Sequence, residues 1–393
     1  MARVVARYPK TGLHQYFWRK DEIWRKSILK EMLRVMKRDS TCGIPYMNLV
    51  NPRVNGELVD QFPDMMVNLA YDRLELLAKV ELRGMSALEM VRIGATDPKR
   101  VFVKNEPHTS AKAAEDRWRL IKNLSFVDQL VERVCYGPQN QEEIDQWINI
   151  PSSPGIGFDD DSQLELLELA MPIEPGYPVA ETDISAWDWS VKPWLFRAEA
   201  EMRISLCSDN SPEFNRIVRN LVEATLLTLS VLSDGTIVEQ LKPGGMPSGS
   251  YCTSSSNSRM RVLLAYLVAD SAGLGRDPLV RAMGDDCIEE PIPGAQDRYN
   301  QLGFLTKLYS VNTTGFEFCS HYFQVSQFED GELHYGYGIP RNWSRTLYRL
   351  IDKPYSQEFY EQFCSEMRHH PHLDVMIRIL QAIPNWYKPE QIG

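Results

Sequence analysis

Two short apolar runs in this chain end on carboxylates, far apart in sequence. Val179-Ala180-Glu181-Thr182-Asp183-Ile184 reads as a strand that delivers Asp183 near its end, with Asp188 five residues further on. Val280-Arg281-Ala282-Met283-Gly284-Asp285-Asp286-Cys287-Ile288 sets two adjacent acids in a tight turn between apolar flanks. Gly284 permits the turn backbone. If the two strands become neighbours, their acids meet at one edge of a sheet. Mg²⁺ takes hard oxygen ligands, and two such ions about 4 Å apart clamp the attacking and leaving oxygens of a phosphoryl transfer. A Gly-Asp-Asp by itself is also what surface turns favour.

The segment between the two turns changes that balance. Gly244-Gly245-Met246-Pro247-Ser248-Gly249-Ser250-Tyr251-Cys252-Thr253-Ser254-Ser255-Ser256-Asn257 joins a flexible loop to an apparent helix. Thr253 and Asn257 are one helical turn apart, so their side chains share a face. A Ser/Thr-rich helix N-cap explains some of these residues. It does not explain why Ser248-Gly249, Thr253 and Asn257 fall between two carboxylate turns.

Charge is unevenly spread. The 393 residues carry a net charge of −10, yet Met1 to Arg38 hold eleven Lys and Arg against three acids. Lys99 to Lys122 hold seven more against three, while Val134 to Val191 hold none against twelve. Two basic blocks in an acidic chain can still present a positive surface to a polyanion. The first block also fits the solvated face of a helix. With 43% hydrophobic and 24% charged residues, collagen-like, disulfide-scaffold and largely disordered chains are excluded. No apolar run approaches the ~20 residues of a membrane span. Arg3 and Arg7 interrupt any signal-peptide segment. Seven scattered cysteines, never spaced CxxC, read as reduced thiols of an intracellular protein.

Apolar spacing predicts helices over Asp21 to Met36, Phe62 to Leu82 and Ser256 to Ala269, and two more over Ser356 to Ala382 broken near Pro371. A hairpin is expected between Thr225 and Gln240 around Ser233-Asp234-Gly235. The class is α+β with helices outnumbering strands. Trp187 and Trp189 read as core packing, and Glu142, Glu143, Asp145 and Asp159 to Asp161 as solvated surface acids. His369, His370 and His372 near Cys364 read as a polar helix end, because their spacing matches no strong zinc pattern.

Taken together, the order and spacing resemble the RNA-dependent RNA polymerases of positive-strand RNA viruses. Asp183-x4-Asp188 resembles motif A, Ser248-Gly249-x3-Thr253-x3-Asn257 motif B, and Gly284-Asp285-Asp286 motif C. Lys104-Asn105-Glu106-Pro107-His108, Lys112 and Arg117-Trp118-Arg119-Leu120-Ile121 resemble the basic motif F, and Thr41-Cys42-Gly43-Ile44-Pro45-Tyr46 resembles motif G. Lys307 falls where motif D has its lysine. Phe316-Glu317-Phe318-Cys319-Ser320-His321 resembles the motif E hairpin of sobemovirus- and luteovirus-like polymerases, and Ile150 to Gly157 is similar to that lineage. The likeness runs from about Ser40 to His321.

The resemblance implies a right-hand fold with fingers, a palm of antiparallel sheet flanked by helices, and a small helical thumb. Fingers would span 1–177, including the basic segment 1–38 and motifs G and F. Palm would span 178–210 and 244–325, with a fingers insertion at 211–243 and the thumb at 326–393. By fold analogy, so small a thumb accompanies an open channel and a protein primer. The resemblance also implies that Asp183, Asp285 and Asp286 hold Mg²⁺, for which Mn²⁺ can substitute. Lys307 would protonate the leaving pyrophosphate. Lys104, Lys112 and Arg119 would meet the triphosphate, and Asp188, Ser248, Thr253 and Asn257 would surround the ribose. Thr41, Gly43, Gly249, Ser320 and His321 would lie along template and primer.

Implied partners are an RNA template, an RNA or protein primer, ribonucleoside triphosphates and other viral replication proteins. They would work in the host cytoplasm, in membrane-associated complexes reached through partners, and the polymerase would be released from a larger polyprotein. Two alternatives remain: a reverse transcriptase, and a catalytically idle polymerase-like RNA-binding protein. Gly284 and Asn257 count against the first, and the intact aspartates against the second.

Overall fold

The structure, a computed structural model, describes residues 1–12, 17–208, 211–327, 331–351 and 355–383. The side chain of Arg19, part of the basic N-terminal block, lies outside the described residues. So do 328–330, 352–354 and 384–393 of the expected thumb.

A four-stranded sheet organises the centre. Its order is Val280–Met283, Asp286–Glu289, Val179–Ile184, Thr306–Asn312, and every adjacent pair is antiparallel. Thr182 pairs with Cys287, which sets Asp183 at the same end of the sheet as Asp286. Met283 pairs with Asp286 across the tight Gly284-Asp285 turn, where Gly284 sits at φ +63°. An L side chain is disfavoured in that conformation, which explains the glycine. The Pro151–Ser153 stretch widens the sheet, with Ser152 bridging to Ala282 in parallel. Arg281 holds this edge from inside the fold, donating to the carbonyls of Trp147, Ile148, Ile150 and Ala170.

The helix Thr253–Ser271 packs on Val280–Met283 and is buried on nearly all sides. It starts three residues before the expected Ser256, so Thr253 belongs to the helix proper. Arg259 and Arg261 on it are fully buried. Arg259 donates to Glu143 at 2.8 Å and to Glu199 at 2.9 Å, and Arg203 donates to Glu199 at 2.6 Å and to Ser255 and Ser256. Buried charges persist only when paired, and removing one partner from such a group costs about 3–5 kcal/mol. Glu143 is therefore a core ion-pair residue, not the surface acid that its sequence neighbourhood suggests. Local hydrophilicity cannot reveal a partner more than a hundred positions away.

A second sheet runs Leu120–Asn123, Lys99–Val103, Leu229–Val231, Ile237–Glu239. The expected hairpin is present in its last two strands, although Thr225 and Leu226 end the preceding helix Pro212–Leu226. The parallel pairing of Lys99–Val103 with Leu229–Val231 joins the second basic block to the 211–243 insertion. A third sheet gathers Gly315–Phe318, His321–Gln327, Leu333–Tyr335 and Ile339–Pro340. The expected boundary at 325/326 falls inside its His321–Gln327 strand.

The N-terminal helix is Glu22–Arg34, capped by the Asp21 carboxylate accepting from Trp24 N at 2.8 Å. Pro63–Leu77 is shorter than expected and is followed by a turn. Trp343–Ile351, Gln357–Glu366 and Leu373–Ala382 close on their own small core of Leu347, Phe363, Met367, Met376 and Leu380. Asp160 ties this unit to the rest through Arg368 and His369, each at 2.6 Å. Asp159 caps the helix Asp160–Glu165, and both acids remain at the surface, as expected. None of the seven cysteines is in a disulfide. Among the described residues no helix is long and apolar enough to cross a membrane.

Candidate active site

The cleft at the carboxylate end of the central sheet has a volume of about 760 Å³. Asp285 and Asp286 form its floor with Met283 and Gly284. Asp188, Ser248, Thr253, Asn257, Lys104, Arg119 and Ser320 line the walls. The tertiary fold thus brings together side chains from widely separated segments.

Each is placed by a local device. Gly284 N donates to Ser258 Oγ at 2.8 Å, and Ser258 donates to Ser254 O, so the buried helix holds the acidic turn by its backbone. Beneath Asp183, Thr182 and Tyr299 both donate to the buried Glu289, at 2.9 and 2.8 Å. Arg261 lies over the rings of Trp187 and Tyr299. Trp187 is buried against Phe304, as core packing predicts, whereas Trp189 is 66% exposed with Lys122 over its ring. Lys104 N donates to Arg119 O at 2.8 Å, so these two cations face each other at the open end of the Lys99–Val103/Leu120–Asn123 hairpin.

The helix face of Thr253 and Asn257 does point into the cleft. Asn257 is 3% exposed, and its Oδ1 has no hydrogen-bond partner. Thr253 donates its hydroxyl to the loop carbonyls of Pro247 and Ser250, both at 2.9 Å. Ser248 Oγ is held against Leu120 O and Lys122 N. Gly249 packs so closely on that strand that a Cβ would meet Lys122 O at 2.5 Å.

Ser320 lines the cleft, whereas Thr41, Gly43, Lys112, Asp183, Lys307 and His321 are not part of its lining. Gly43, at φ +67°, packs on the Leu124 carbonyl, and Thr41 bridges to Val54. Lys112 sits on the short helix Ser110–Ala114. His321 stacks on Phe158, which itself lines the cleft. Cys319 and Ser320, at φ 50° and 61°, turn the Gly315–Phe318/His321–Gln327 hairpin in a conformation disfavoured for both. Lys307 Nζ lies 2.6 Å from Asp183 Oδ2, and that bond raises the lysine's pKa.

The electrostatics are those of a site with excess negative charge. Burial first, then the charges of Asp285 and Asp183, push the Asp286 carboxyl up to about 6. Burial and Asp285 also raise Asp188, against the pull of Arg119. Among the described residues no three His, Cys, Asp or Glu side chains are close enough together to form a metal centre. Like charges repel, and Lys307 pairs with Asp183 at 2.6 Å. The donor chemistry still fits a hard divalent cation, since Asp183, Asp285 and Asp286 offer carboxylate oxygens alone at one end of one sheet.

Four residues not expected at the site, Ser258, Ile156, Phe158 and Glu106, also shape it. Ser258 reaches the turn only through packing. Ile156 and Phe158 form a wall from the Pro-rich loop. Glu106, inside the basic block, bonds both Lys104 and Arg119; its position between them in sequence is the clue.

A family described as viral RNA-directed RNA-polymerase matches residues 29–337. The replicase polyprotein P2AB of Southern cowpea mosaic virus is 35% identical over 97% of this chain and 39% of the polyprotein. Protein P1-P2 of a potato leafroll virus strain is 36% identical over 82% of the chain and 30% of that protein. The RNA-directed RNA polymerase of mushroom bacilliform virus is 32% identical over 95% of this chain and 96% of its own length. The chain thus spans about two-fifths of the polyproteins it matches first.

Proposed function

The chain belongs to the viral RNA-directed RNA-polymerase family, and from that premise we propose that it catalyses template-directed RNA synthesis from ribonucleoside triphosphates, replicating a viral genome. The observation that carries this reading is the cleft itself. Asp285 and Asp286 at the sheet's edge face Lys104 and Arg119 across a space sized for a nucleotide. Membership of this family disfavours the reverse-transcriptase alternative.

In this reading Asp183, Asp285 and Asp286 hold Mg²⁺, with Mn²⁺ as a substitute. Bound there, the ions would favour ionisation of the primer 3′-hydroxyl and stabilise charge on the transferring phosphate. Arg119 presents a guanidinium, and Lys104 an ammonium, to the triphosphate. Lys307 starts on Asp183 and must leave it to give a proton to the pyrophosphate. Asp188 and the side-chain amide of Asn257 read the ribose 2′-hydroxyl, which is both donor and acceptor: the carboxylate accepts from it and the amide N–H donates to it. Thr253 and Ser248 act by holding the loop beneath the sugar. Lys112 waits further out on the triphosphate's approach, and Thr41, Gly43, Gly249, Ser320 and His321 serve the path of template and primer.

The right-hand assignment follows the same lines. The central sheet would be palm and the C-terminal helical unit a small thumb. The sheet that joins 99–123 to the 211–243 insertion would be fingers. A protein or RNA primer, other viral replication proteins and host-cytoplasmic replication complexes are the partners and place this function requires. Primer extension on a poly(A) template with labelled UTP against labelled dTTP is the test. UTP incorporation that depends on a divalent cation supports the reading. Incorporation of dTTP alone restores the reverse transcriptase, and binding of RNA without either leaves the idle protein.

A further inference from the structure

Glu106 is unusual among the charged groups at the cleft. Its side chain is 1% exposed, and both its oxygens are taken by cations. Oε1 accepts from Arg119 at 2.8 Å, while Oε2 is 3.0 Å from Lys104 Nζ and 2.6 Å from Arg349 Nη2. Burial works against its ionisation, but Lys104 and Arg119 together hold its carboxyl below the usual range. Lys104 and Arg119 line the nucleotide cleft. Arg349 belongs to Trp343–Ile351, the first helix of the C-terminal unit, so this one carboxylate joins the basic hairpin to a residue 243 positions away.

We propose that Glu106 is a positioning residue that holds the cleft's two cations until a nucleoside triphosphate takes them, and that this exchange tightens the Glu106–Arg349 bond between the basic hairpin and the helix Trp343–Ile351. The inference rests on the nucleotide reading of the cleft given above. A triphosphate carries more negative charge than one carboxylate and offers more acceptor oxygens, so Lys104 and Arg119 favour it. Glu106 is then left with Arg349, and its charge is no longer shared among three cations. Linkage makes the effect reciprocal: whatever strengthens Arg349's hold on Glu106 weakens the carboxylate's hold on the nucleotide cations.

This arrangement predicts opposite signs for two neutralising substitutions. Glu106→Gln releases Lys104 and Arg119, so ATP binds more tightly. Arg349→Gln leaves Glu106 to the two cleft cations alone, so ATP binds more weakly. The three cations are 39% to 52% exposed, so each change is about two- to fivefold, the range of solvent-screened ion pairs. Both variants lose the tie to the helix Trp343–Ile351, so both release a primed RNA template faster than the parent chain. The double variant should match Glu106→Gln in ATP affinity, because Arg349 acts on the nucleotide only through Glu106.

The experiment measures ATP Kd with Mg²⁺ by equilibrium dialysis, ATP KM and kcat by primer extension, and the RNA dissociation rate, for the parent, both single variants and the double. A Glu106→Gln variant with weaker or unchanged ATP affinity overturns the proposal, since a residue that merely orients Arg119 would behave that way. So does an Arg349→Gln variant with unchanged affinity, or a double variant that adds the two effects. Asp285→Ala is run alongside. If the parent extends no primer, the function reading fails, while the dialysis arm still decides the role of Glu106.

Discussion

Replacing Asn257 by alanine should separate folding from function. Asn257 is almost wholly buried on Thr253–Ser271, lines the cleft near Asp188, and leaves its Oδ1 without a partner. An unsatisfied buried acceptor costs about 1–3 kcal/mol. Asn257→Ala removes that cost and opens onto the cleft instead of sealing a cavity, so thermal stability should hold or rise. The substrate loses a hydrogen bond instead. A site built to bond a hydroxyl discriminates against the analogue lacking it, because its own polar groups are left unpaired. The same 1–3 kcal/mol corresponds to roughly a ten- to hundredfold fall in kcat/KM for ATP. For dATP, which never made the bond, the fall should be slight. Single-nucleotide extension with ATP and dATP on one template gives the ratio, and a melting curve gives the stability. If the ATP/dATP ratio stays at the parental value, Asn257 is a helix-packing residue and sugar selection lies elsewhere. A large drop in Tm would show that Oδ1 is satisfied in the folded chain and that the reasoning from its isolation is mistaken.

Asp285→Ala should abolish synthesis with an unchanged melting temperature, because it removes a hard ligand from the cleft floor and no core packing; near-parental extension with Mg²⁺ would overturn the metal assignment. Lys307→Leu should lower the maximal rate of nucleotide addition at unchanged nucleotide Kd, since a general acid acts only as charge develops on the leaving group. A raised Kd at full rate would make it a binding residue. RNA affinity should fall steeply with salt despite the acidic pI. Neutralising Arg19, Lys20, Arg25 and Lys26 to Gln should change the slope of log K against log salt less than neutralising Lys104 and Arg119, which line the cleft. The reverse order would place the N-terminal block on the RNA.

Local chemistry made several elements legible. Asp21 before an apolar-periodic stretch marked a helix start, and the carboxylate caps it. Ser233-Asp234-Gly235 marked a hairpin turn. Gly284 marked a backbone that only glycine adopts without strain. The Ser/Thr-rich start of the long helix was misplaced by one turn, because its hydroxyls bond backward to loop carbonyls and so continue the helix instead of ending it. Glu143 departs from its surface reading for a physical reason. A carboxylate's partner cation lies far along the chain, and hydropathy in a short window registers only the cost of burying the charge.

The sequence alone determined which side chains could do chemistry: the acids of two strand ends, the helix face of Thr253 and Asn257, and the cations of 104 and 119. Spacing along a helix or strand is a local property, and these features need nothing else. Only the tertiary structure decided how they meet. The register of Thr182 against Cys287 aligned the acid ends. The hydroxyl of Ser258 anchored the turn from a helix one layer away. One buried carboxylate, Glu106, was given to three cations, the last from the far end of the chain. Such contacts depend on packing and on the absence of water, and neither is written in the spacing of residues.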